Sequence, residues 1–137
     1  MEVVFVKTEE LSNFDYSNTL FKNKKVLNSF NKLEELMICE PVASKEFEVK
    51  DMLFPEEISA DLFLSYPLEV VVKQPITFKS LYELISKIRE TYKEIYKEER
   101  KTHKFGIWGH SIYDLFIEGI SIMEGKDNPI VRVYIGS

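Results

Sequence analysis

The chain has 137 residues, 45% of them hydrophobic and 13% aromatic, and a formal net charge of −5 at pH 7. A chain of this size buries roughly two-thirds of the surface it exposes when unfolded, so one domain over residues 1–137 needs no metal or disulfide to hold together. The acidic balance argues against nucleic acid as a partner, because sequence-independent binding draws on clustered Lys and Arg.

No apolar run approaches the ~20 residues of a membrane helix. Met1–Lys7 lacks the basic and apolar regions of a signal peptide. A soluble, intracellular protein without a membrane partner is expected. Cys39 is the single cysteine, which excludes an intramolecular disulfide. Its apolar neighbours Met37 and Ile38 predict a buried thiol.

Val3–Lys7 is short and β-branched and predicts a strand. Residues 8–18 are polar and read as loop. Val26, Phe30, Leu33 and Met37 fall at helical spacing, which predicts a helix over about 24–36. The alternative there is a strand over Leu36–Glu40, ended by Pro41. Phe47 and Val49 alternate with Glu46, Glu48 and Lys50, the period of a half-buried strand. Pro55 to Ile58 reads as one helical turn. Leu68–Lys73, with Val70, Val71 and Val72, is the expected central strand.

The clearest helix follows. Thr77 is its expected cap, and it should run from about Phe78 to Glu99. Leu81, Leu84, Ile85, Ile88, Tyr92 and Ile95 make one apolar stripe, with the tyrosines Tyr82, Tyr92 and Tyr96 as core and rim. Leu115–Met123 and Ile130–Ile135 flank a turn rich in Gly, Asn, Asp and Pro, and so predict a β-hairpin. The whole predicts an α+β fold, a mostly antiparallel sheet packed by one long helix with a C-terminal β-hairpin.

All five glycines lie from Gly106 onward, together with the only tryptophan. Unusual backbone geometry is therefore expected in loop 105–114. His110 and Asp114 are four apart, a spacing at which a carboxylate can orient an imidazole on a helical turn. The plainer reading makes Asp114 a turn cap. Glu118 interrupts an apolar run. Strict alternation puts it on one face with Phe116, Ile120 and Ile122, where a cross-strand salt bridge to Arg132 would satisfy it. No metal-ligand spacing and no phosphate-cradling glycine loop occurs, so neither metal nor cofactor is expected.

Several of these pieces occur together in an order that resembles a known set. They are Ile76-Thr77-Phe78 opening a helix, Trp108-Gly109-His110, Asp114-Leu115-Phe116-Ile117-Glu118-Gly119-Ile120, and Ile135-Gly136-Ser137. Over roughly residues 66–137 the chain resembles an uncharacterised protein family of large (giant) double-stranded DNA viruses, and more distantly a fungal domain of unknown function. The resemblance implies a setting, the host cytoplasm or the virion, and carries no catalytic residues with it.

The expected function is a non-catalytic interaction or assembly module. It would bind a protein partner, or a copy of itself, through loop 105–114, with Trp108, His110, Tyr113, Asp114 and Glu118 as binding residues. The rival readings are a small hydrolase or transferase using His110, Asp114 and Glu118, and a virion structural component.

Overall fold

The computed structural model describes residues 1–5, 35–107, 109–123, 125 and 127–137. Among these residues six strands pair into one sheet: β1 (Glu2–Phe5), β2 (Glu35–Pro41), β3 (Leu53–Leu64), β4 (Val71–Ser80), β5 (Phe116–Met123) and β6 (Ile130–Gly136). Their order is β1-β4-β3-β6-β5-β2. Only β3–β6 is parallel; the other four neighbours are antiparallel. Helix α1 (Leu81–Thr102) packs on one face, chiefly against β4 and β3. This is the α+β architecture read from the sequence, C-terminal strand pair included. No helix among the described residues is long and apolar enough to cross a membrane.

The six-residue stripe of α1 is buried as its period predicts. It meets Ile58, Ala60, Leu62 and Leu64 of β3, Val72, Ile76 and Phe78 of β4, and Val131 and Val133 of β6 in one core. Each large aliphatic side chain in that layer contributes about 1.5–3 kcal/mol by leaving water.

The helix begins three residues later than expected. Residues 76–80 pair with β3, and Thr77 faces Ser59 in the ladder, so it caps nothing. Ser80 is the cap, its hydroxyl accepting from the Glu83 amide at 3.1 Å. The two amides before that donate to Met52 O (2.8 Å) and Asp51 Oδ1 (3.0 Å). The first orphan donors of the helix are thus all satisfied. At the other end His103 adopts φ 53°, and its amide closes on Glu99 O.

Pro55 opens no helical turn. It lies inside β3, where the register slips between Leu53↔Ser80 and Ile58↔Phe78. A bulge is a place where a strand tolerates a proline, because no ladder bond needs its amide.

Residues 43–51 do not join the sheet either. The alternation read from the sequence is real: Phe47 and Val49 are half-buried, while Glu46, Glu48 and Lys50 are exposed. The hydrogen bonds go to side chains. Glu40 Oε1 accepts from the amides of Glu48 (2.8 Å) and Val49 (2.7 Å).

Residues 35 and 36 belong to β2, which matches the alternative strand; the rest of the helix expected over 24–36 lies outside the described residues, as do the loop at 8–18 and Val6–Lys7. In β2, Leu36 and Ile38 pack on the core and Glu40 is buried. Met37 and Cys39 therefore turn outward, so the thiol expected to be buried is exposed.

Candidate functional site

Three residues lie on one face of α1: Tyr96 and Glu99 hold the loop that the sequence singled out, and Tyr92 holds Tyr66. Each buries an apolar stem and sends a polar end to main chain. Tyr92 donates to Tyr66 O at 2.7 Å, and Tyr96 donates to His110 O at 3.0 Å. Glu99 accepts from the amides of Phe105 (2.9 Å) and Ile107 (2.7 Å). The Glu69 amide reaches the carbonyls of Phe105 and Gly106 from the other side.

Gly106 and Gly109 have φ of +65° and +59°, the backbone form that side chains resist. At Gly106 the space is closed as well, since an added Cβ would lie 2.5 Å from the Glu69 carboxylate. Trp108, between them, lies outside the described residues.

Beyond Gly109 the chain makes a 3-10 turn over Ile112–Asp114. The Ser111 hydroxyl accepts from the Tyr113 amide (3.2 Å), and the Asp114 carboxylate accepts from the Ser111 amide (3.0 Å). This reciprocal capping fixes a short turn that could not hold its shape by length alone. Asp114 is the turn cap of the plainer reading; it is held by Ser111 and not by the imidazole.

The imidazole of His110 meets Tyr66 instead. Its Nε2 lies 3.0 Å from the Tyr66 hydroxyl, which lies 2.9 Å from Ser137 Oγ. Neither Tyr66 nor Ser137 is among the binding residues expected from the sequence. Ser137 closed one of the quoted motifs, and Tyr66 stood in a loop before Pro67; neither position carried a periodic signal.

Glu118 takes a different place from the one alternation predicts. A bulge lies between Ile117 and Gly119, so Ile117, Ile120 and Ile122 all join the core while Phe116 and Glu118 are exposed. Arg132 pairs in register with Ser121. The Glu118 carboxylate lies over Gly136, where any added side chain would run into it. Gly136 precedes Ser137, whose hydroxyl meets that of Tyr66, and Tyr66 in turn meets His110.

Burial, followed by the nearby Asp114 carboxylate and the Tyr66 and Glu99 side chains, pushes the Tyr96 phenol up to about 12. Burial, and then Tyr96, pushes Tyr92 up as well. A phenol that holds its proton more tightly when folded makes the fold lose stability as pH rises above its unfolded value of about 10. Stability should be level to about pH 9.5 and fall from about pH 10 to 12. Urea midpoints at about pH 8 and 11 check this; equal midpoints would refute it.

Among the described residues no group of three or more His, Cys, Asp or Glu is arranged to hold a metal ion. No known protein family, curated protein or solved structure matches the chain.

Proposed function

We propose that the chain is an interaction or assembly module, without catalysis of its own, that binds a protein partner or a second copy through the corner where loop 105–114 meets the ends of β5 and β6. One observation carries the reading. Among the described residues, the exposed aromatics are Tyr66 (43%), Tyr113 (79%) and Phe116 (37%), and all three belong to this corner. Exposed tyrosines on a fixed mount suit recognition, because little side-chain freedom is lost on binding. The capped turn under Tyr113 and the Tyr92–Tyr96–Glu99 face under the loop provide that mount.

The resemblance to large-DNA-virus proteins sets this partner, within the proposal, in the infected cell or the particle. The hydrolase reading draws less support. Asp114 is engaged by Ser111, and Glu118 sits beside Gly136 on the outer face.

Tyr113→Ala should leave the fold intact, since the ring is exposed. It should weaken partner capture, or self-association in sedimentation, by roughly 30-fold if Tyr113 is a hot spot. A variant that binds or associates like wild type would remove Tyr113 from the surface. Wild type with no specific partner and no self-association would remove the proposal.

A further inference from the structure

The segment between β2 and β3 is fastened in an unusual way. At its ends the main chain is tied to main chain, Val42 N to Leu115 O (3.0 Å) and Leu81 N to Met52 O (2.8 Å). Between those ties, among the described residues, every anchor of residues 43–51 to the rest of the fold involves a side chain. Glu40 Oε1 holds the amides of Glu48 and Val49. Its Oε2 lies 3.1 Å from Arg89 Nη2. Arg89 also donates to Pro41 O (2.9 Å) and Glu46 O (2.8 Å). Its guanidinium sits 4.9 Å from the centre of the Phe47 ring. Phe47 stacks on Tyr82 at 3.9 Å, nearly parallel, and the Tyr82 hydroxyl donates to Val49 O at 2.7 Å.

These anchors form one chain of shared partners. Tyr82 and Arg89 stand two turns apart on one flank of α1, and Glu40 reaches in from β2. Removing any link takes away the geometry of the next, so the contacts are cooperative. None of them is a rung of the sheet ladder, although Glu40 and Pro41 belong to β2. A segment with few fully buried side chains and no ladder of its own is the kind that opens below the global unfolding free energy.

We propose that residues 43–51 are a latched strap, which swings off α1 as a unit while the sheet stays paired, with Glu40 and Arg89 as the latch. Phe47 is also one wall of a cleft of about 450 Å³ that Tyr82, Lys87, Glu57 and Thr77 help to line. Opening the strap removes that wall, so the cleft has a movable side.

Native-state hydrogen exchange of the full chain in low urea tests this. In wild type the amides of Glu48 and Val49 should exchange at least roughly tenfold faster than those of β3 and β6, with a shallow dependence on urea, the mark of a local opening. In Glu40→Gln the strap amides should approach unfolded-chain rates while β3 and β6 stay protected. Strap and sheet amides that share one rate and one urea slope in wild type would overturn the proposal, whether or not the variant folds. So would strap amides in a folded Glu40→Gln that stay as protected as the sheet.

Discussion

Arg89→Ala should be among the most destabilising single substitutions in the described part of the chain, lowering stability by about 3–5 kcal/mol. Arg89 is 7% exposed and its partner Glu40 is fully buried, at 0%. Burial lowers the guanidinium's hold on its proton, against the opposing pull of Glu40. A buried ion pair is often no large net source of stability, because the cost of desolvating two charges offsets their attraction. Breaking it is costly for another reason: a carboxylate without its cation is left in an apolar layer, and the carbonyls of Pro41 and Glu46 lose their donor.

A double variant separates these effects. Where a buried pair does nothing more than pair, swapping both partners for apolar residues is often neutral. Here Glu40 also serves two amides, so Glu40→Leu with Arg89→Met should recover only part of the loss. Urea denaturation of wild type, both single variants and the double variant measures the coupling. Full recovery would mean that the strap's main-chain groups find water or each other without cost.

Sequence legibility followed how local each signal was. The stripe from Leu81 to Ile95 repeats a 3.6-residue period at six positions, and tertiary context had little chance to override it. The C-terminal hairpin was legible because its turn composition permits few alternatives. The long β3 and β4 were not, because prolines read as breakers. Pro55 falls in a bulge. Pro75 stands in β4 opposite Asp61, past the Glu2↔Lys73 pair where the β1 ladder ends, so no described neighbour on that side requires its amide.

The site divides in the same way. Asp114 as a cap rests on three residues of spacing and was legible. The outward turn of Glu118 depends on one extra residue in β5, and alternation cannot announce a bulge before it occurs. Glu40 and Arg89 are 49 positions apart, and each alone resembles an ordinary surface charge. Tyr66 joined to His110 is likewise a contact across 44 residues. Tyr82, Tyr92 and Tyr96 of α1 are core and rim as their spacing implies, Tyr92 buried and the other two half-buried, but the sequence does not say which main-chain groups the hydroxyls will find.

Those hydroxyls bear on the last substitution. Tyr92→Ala removes the largest side chain fully buried among the described residues and should cost about 3–5 kcal/mol, the range for emptying an aromatic site in a core. That alone would show only that the core is packed. Tyr92→Phe is the informative partner. It keeps the ring and deletes the 2.7 Å bond to Tyr66 O, leaving a part-buried carbonyl without that donor. The expected cost is about 1–3 kcal/mol, most of it from the desolvated carbonyl. The consequence should also appear at the surface. Tyr66 is fixed from within by Tyr92 and from without by His110 and Ser137, so losing the inner tie frees one of the three exposed aromatics of the proposed binding corner. Tyr92→Phe should therefore weaken partner capture more than its stability loss explains, compared at a temperature where both proteins are fully folded. It should also shallow the alkaline decline, because one of the two raised phenols is gone. A variant that loses stability but binds like wild type would uncouple the core from the corner and leave the corner resting on Tyr113 and Phe116.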